Sequence, residues 1–133
     1  MEDVLAELRE RNLDVASPLE LPTEDQLIIV EEEILMPLPA DYKGFLLLVS
    51  DVICGSIEPA TVADPNAHSY LSELTANAWE QGLSREYIPI CEYKGGYFYI
   101  TQTSEIGFWP SDNDDENSWE SIWHWARDIW LNS

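Results

Sequence analysis

Residues 87–109, YIPICEYKGGYFYITQTSEIGFW, constrain the fold of this chain more than any other stretch. Segments 87–93, 97–102 and 106–109 are rich in aromatic and β-branched residues, and turn chemistry (KGG, then TSE) fills each gap. That pattern predicts an antiparallel three-strand meander, with the Lys94-Gly95-Gly96 glycines supplying the positive φ angles of a tight hairpin. Strict alternation places Ile88, Ile90 and Glu92 on one face and Tyr87, Pro89, Cys91 and Tyr93 on the other.

Helical spacing dominates the preceding half. Residues 2–12 read as a short helix with Val4, Leu5 and Leu8 on one side. TEDQ at 23–26 is a capping box opening a helix with Leu27, Val30, Ile34 and Leu38 in phase, ended by Pro37 and Pro39. Pro39 suits the first turn of the next helix, 40–50, which is apolar on nearly all sides and so predicted to be central. Ser56 to Val62 reads as a short strand interrupted by Pro59. Residues 69–81 return to helical spacing, with Gly82 as the stop. A last helix, 118–132, carries two stripes: Trp119, Trp123, Ala126 and Trp130, and Ile122, Trp125, Ala126, Ile129 and the adjoining Ser133. One side of a helix cannot bury both, which marks one tryptophan for the surface or a groove.

The charge balance limits the partners. The chain has 133 residues, 26 acidic and 6 basic, for a net charge of −20. Its 45% hydrophobic content is too high for a disordered acidic chain, and its length suits one domain. A surface this negative repels phosphate backbones and anionic membranes, and favours basic proteins or divalent cations. Cys54 and Cys91, 37 residues apart and without a C-x-x-C spacing, suit a reducing compartment. No signal segment and no apolar run of membrane-spanning length is present in the sequence, so a cytoplasmic location is expected.

No chemical site emerges from the residues. Gly95-Gly96 has neither dinucleotide-loop nor phosphate-loop spacing and is followed by a strand. Cys91 lies beside Glu92, which raises a thiol pKa rather than activating it. His68 and His124 belong to no paired ligand motif. A calcium loop starting at Asp112 requires glycine at 117 and glutamate at 123, where the chain has Asn117 and Trp123. No catalytic, cofactor or metal residues are assigned, and no enzyme activity is expected.

Pieces spread over residues 22–131 carry a family resemblance. They are LPADYKGFLL (38–47), SDVICGSIEPATVADPNAHSYL (50–71), AWEQGL (78–83), IPICEY (88–93), YFYI, GFW (107–109) and the spaced set Trp119, Ile122, Trp125, Trp130. In order and spacing the chain resembles the SUKH superfamily, the Smi/Knr-like proteins that include many bacterial immunity proteins and a fungal cell-wall regulator. Relatives often carry Asp or Asn beside the hairpin glycine, where this chain has Lys94. Trp123 stands outside the three-Trp spacing, which singles it out as the exposed tryptophan.

The resemblance implies one α+β domain over 1–133: an N-terminal helix and connection (1–21), then a curved antiparallel sheet flanked by helices. It also implies no catalysis and no cofactor, and an immunity role in which a cognate toxin, often a nuclease, is bound directly. The alternative within the family is a regulatory or scaffold module without a toxin. An acidic inhibitor suits a basic nuclease surface through electrostatic steering. The expected contact residues are Asp112, Asp114, Asp115 and Glu116 in the acidic loop, Trp109 beside them, Glu58 and Asp64 in the proline-containing segment, and Trp123.

Overall fold

The computed structural model describes residues 2–15, 18–110 and 118–133. Four helices come first. Helix α1 (Glu2–Arg11) has acids in its first turn and arginines in its last, matching the helix dipole, and buries Val4 and Leu8. Arg9 ties it to Asp51 at 2.9 Å, and Arg11 donates to the Leu131 carbonyl at 2.7 Å. Helix α2 (Glu24–Ile34) opens with the expected capping box: Thr23 accepts from the Gln26 amide at 3.2 Å, and the Gln26 side chain accepts from the Thr23 amide at 2.8 Å. It ends at Leu35 in the left-handed region (φ 59°), ahead of Pro37, while Leu38 continues the buried stripe from outside the helix.

Helix α3 (Ala40–Val49) follows Pro39 and buries Tyr42, Phe45, Leu46 and Val49. It is not enclosed on all sides, because Leu48 is 46% exposed. Helix α4 (Leu71–Gln81) stops before Gly82 and buries Leu71, Leu74, Thr75 and Ala78.

The meander forms as β1 (Ile88–Tyr93), β2 (Gly96–Ile100) and β3 (Ile106–Trp109), joined by a fourth strand absent from the sequence reading, β4 (Ser118–Trp119). All pairs are antiparallel in the order β1-β2-β3-β4. The strict alternation fails on β1. Ile88 pairs with Ile100 and Cys91 with Phe98, so a bulge falls between Pro89 and Cys91. Ile88 therefore shares a face with Cys91 instead of opposing it, because Phe98 and Ile100 are two apart on β2.

That face packs on the C-terminal helical segment, with Phe98 and Trp125 ring centres 5.5 Å apart. The other face meets the end of α4, where the Gln81 side chain donates to the Tyr97 hydroxyl at 2.8 Å. Residues 56–62 are not a strand. Only Pro59 bridges Cys91, and only Thr61 bridges Tyr70. The proline ring removes one donor, and the chain turns away after a single contact with the β1 edge.

The hairpin turn differs from expectation in one respect. The two positive φ angles belong to Lys94 (46°) and Gly95 (82°), the signature of a type I′ turn, and not to Gly96. Gly96 serves close approach: a Cβ there would meet the Trp109 carbonyl oxygen and come within 2.7 Å of the Phe108 ring.

The last helix is shorter than its pattern suggested. Trp119 lies on β4, and Ser121 caps α5 (Ile122–Trp125), accepting from the His124 amide at 3.3 Å. One π-helical segment, Ala126–Trp130, follows, with the Leu131 amide donating to the Ala126 carbonyl at 2.8 Å. This wider turn resolves the conflict between the stripes. It carries Trp130 round to the side already occupied by Ile122 and Trp125, so all three are buried, while Trp123 is half-buried against the edge of Phe45.

Two measurements follow from this packing. In urea titrations, Trp130→Ala should cost about 3–5 kcal/mol, because it opens a core cavity and orphans the buried Cys54 carbonyl, to which the Trp130 indole N–H donates. Trp123→Ala should cost only about 1 kcal/mol, the scale of one aromatic edge contact; comparable losses would refute this division. At the hairpin, Gly95→Ala should cost about 1 kcal/mol through its backbone angle alone. Gly96→Ala should cost about 3 kcal/mol, because the added methyl meets backbone of the neighbouring strand. The reverse order would mean that turn geometry, not inter-strand clearance, fixes this glycine pair.

Candidate partner-binding surface

The connection between α3 and α4 is irregular, yet its backbone is pinned. The Ala60 amide donates to the Ile90 carbonyl at 2.8 Å, which places residues 58–60 along the outer edge of β1. Thr61 then closes a loop on itself. Its amide donates to the Ser69 carbonyl at 2.9 Å, its carbonyl accepts from Leu71 at 2.8 Å, and its hydroxyl meets Ser69 Oγ at 2.8 Å. At the tip, Asp64 Oδ1 accepts from the Asn66 amide at 2.9 Å, the local turn that aspartate favours. A loop held this way presents its side chains at fixed positions.

Three adjoining recesses run over this loop as one trough. The central recess, about 290 Å³, has Val52, Ile57 and Trp130 at its floor and Leu19, Pro59 and Ala67 in its walls. Towards the N-terminal connection it shares Leu19 and Ala67 with a recess of about 420 Å³ bordered by Glu20 and Asp64. Towards the hairpin it shares Glu58 and His68 with a recess of about 360 Å³ bordered by Glu92 and Lys94. Glu58 and His68 pair directly at the junction, and both side chains are exposed. The floor is apolar and the rim is acidic.

The basic side chains do little to offset this rim: Lys94 borders it and the other five lie elsewhere. Arg9, Arg11, Lys43 and Arg127 are ion-paired with Asp51, Glu7, Glu31 and Asp128. Arg85 lies 5.5 Å over the Trp79 ring and Lys94 5.1 Å over Tyr93. All six basic side chains of the chain are thus engaged within it. Glu33, outside the trough, accepts from the Tyr70 and Ser72 hydroxyls, which hold its carboxyl below the usual range.

Cys91 is unsuited to nucleophilic chemistry. It is fully buried, and burial pushes its thiol up to about 12, with the Glu58 and Glu92 carboxylates acting in the same direction. Cys54 is likewise buried, and the two are not joined. Among the described residues, no group of three or more His, Cys, Asp or Glu is placed to hold a metal ion. No helix among them is long and apolar enough to cross a membrane.

The structure brings together some of the sequence-derived contact residues. Glu58 and Asp64 border the same trough. Trp109 and Trp123 do not join them. Trp109 stacks over Tyr97 and Gly82, on the face that meets α4. Trp123 rests on Phe45 in the layer covering the opposite face. Asp112, Asp114, Asp115 and Glu116 lie outside the described residues.

Sequence reasoning missed the recess itself, because Leu19, the α3–α4 connection (Val52, Ala67) and Trp130 come from three separate stretches. Glu92 on the hairpin could have been added from its place beside the turn. A further groove of about 750 Å³, lined by Met36, Trp79, Arg85, Tyr87 and Gln102, was also unforeseen. There the guanidinium of Arg85 already covers the principal aromatic face.

With this geometry in place, comparison with known proteins is informative. No curated protein matches the chain. A solved structure described as the crystal structure of a protein from Pseudomonas syringae pv. tomato is similar over 100% of both chains, with 50% identity and a TM-score of 0.95. A family model, SUKH_5, described as SMI1-KNR4 cell-wall, matches residues 1–131 and so takes in α1 as well as the stretch carrying the resemblance. The chain belongs to this SMI1-KNR4 family within the SUKH superfamily.

Proposed function

We propose that this chain is a non-enzymatic immunity-type protein that neutralises a cognate toxin by binding it directly through its acidic surface. The observation that carries this reading is the disposition of charge. Every basic side chain is engaged internally, while Glu20, Glu58, Asp64 and Glu92 border one apolar-floored trough opposite a single Lys94. A basic toxin, such as a nuclease whose own surface must hold phosphates, is the complementary partner. Cytoplasmic action fits the two unpaired, buried cysteines. Trp109, Trp123 and the acids at 112–116 belong to this proposal as flanking contacts, with the trough as its centre.

The family's description, which refers to the cell wall, favours a second reading: a regulatory or scaffold module whose partner is not a toxin. Isolating the partner from the native host separates the two, because a toxin must lose its activity when the chain is added.

With that partner in hand, Glu58→Gln, Asp64→Asn and Glu92→Gln combined should slow association about tenfold at low salt and change dissociation far less. The wild-type association rate should fall steeply as salt rises past ~0.1 M, where the screening length shrinks to ~10 Å. A wild-type rate indifferent to salt would remove steering. Unchanged association of the triple variant would move the interface away from the trough.

A further inference from the structure

We propose that the trough reads a basic segment by a single apolar anchor: one aliphatic or aromatic side chain enters the central recess while Lys or Arg on either side of it meet the acidic rim. The inference rests on the reading above that the partner is basic, and adds what that partner must carry.

Two features converge on it. The floor of the central recess is formed by residues that belong to the core, Ile57 being 7% exposed, Val52 3% and Trp130 1%, so it is apolar and held in place by packing. The recess lies between two others whose outer borders carry Glu20 and Asp64 on one side and Glu92 beside Lys94 on the other, with Glu58, paired to His68, at the junction, so four carboxylates face one lysine. An apolar socket between carboxylates fits an apolar side chain between cations, and a buried anchor ringed by polar contacts is how binding energy concentrates at interfaces. The occupant is not a second copy, because two chains of net charge −20 would meet acid to acid. It is not a nucleic acid, whose phosphates the rim repels.

Synthetic peptides test this without the natural partner. Isotope-labelled protein is titrated with Lys-Lys-Phe-Lys-Lys, Lys-Lys-Ser-Lys-Lys and Glu-Glu-Phe-Glu-Glu while amide chemical shifts are followed by NMR. The Lys-flanked Phe peptide should bind about tenfold tighter than the Ser version, since burying an aromatic side chain supplies at least that ratio. Its shifts should cluster at residues 56–69 and 92–94. Ala67→Phe fills the recess from its rim and keeps every carboxylate, so it should abolish the preference for Phe while leaving the weaker binding of the Ser peptide intact. Leu19→Ser, on an exposed wall, should reduce the same preference should Ala67→Phe fail to fold.

Equal binding of the two Lys-flanked peptides overturns the anchor and leaves the acidic-surface reading standing. Equal binding of the Glu-flanked peptide overturns that reading instead. Shifts centred on Trp79 and Tyr87 would place the anchor in the other groove and refute the assignment to this recess.

Discussion

The buried indole of Trp130 ties together stretches that are far apart in the chain. Its Nε1–H donates to the Cys54 carbonyl at 3.0 Å, and its ring packs 5.8 Å from Phe45 on α3 and 6.5 Å from Trp125. The C-terminal segment, the central helix and the start of the α3–α4 loop therefore share one contact. An indole can do this because it joins a large apolar area to one directional donor, and a buried carbonyl left without a donor is costly. The π-helical turn is what delivers Trp130 there. An α-helical continuation from Ile122 would carry position 130 towards the Trp123 side, away from the sheet. The same indole floors the central recess, so the element that closes the core also shapes the surface.

Charge is the opposing constraint. A net charge of −20 on a small domain repels itself, and the ion pairs offset little of it because most are exposed. Stability must come from the apolar interior, which runs unbroken from Val4 on α1 to Leu131. Among the described residues, the carboxylates stay outside that interior. Even Glu31, which pairs with Lys43 and accepts from the Leu38 amide at 2.7 Å, remains partly open to solvent. This separation, with apolar contacts holding the fold and acids arrayed on its surface, permits charge to be tuned for a partner without disturbing the core.

What the sequence revealed divides along a physical line. Local chemistry was legible: the Thr23–Gln26 capping box, the stop at Gly82 and the presence of a hairpin at Lys94-Gly95-Gly96 each depend on residues within a few positions of one another. Features set by distant partners were not. The β1 bulge depends on which β2 residues sit opposite, and β4 exists only because Ser118 and Trp119 find Gly107 and Ile106. Gly96 was read as a turn glycine because its need, clearance from the Trp109 carbonyl, lies across the sheet. The site followed the same rule. Glu58 and Asp64 could be picked out as acids in a proline-bearing loop, whereas the recess between them is assembled from three stretches with no shared pattern.

The way the loop is built bears on how a partner could be selected. Its backbone bonds run to β1 and to its own return at Ser69, and none of them uses the carboxylates of Glu58, Glu92 or Glu20. Glu92 and Glu20 contribute charge without holding the loop in place, so exchanging them changes recognition at little structural cost, whereas the Glu58 carboxylate also bridges the loop to His68. The floor is different: Val52, Ile57 and Trp130 are core residues, and altering their shape disturbs the fold. Asp64 is intermediate, since its carboxylate also stabilises the turn at Asn66. Specificity can therefore diversify at the rim while the socket stays constant, because a side chain that is absent from the hydrogen-bond framework is one that the fold does not require.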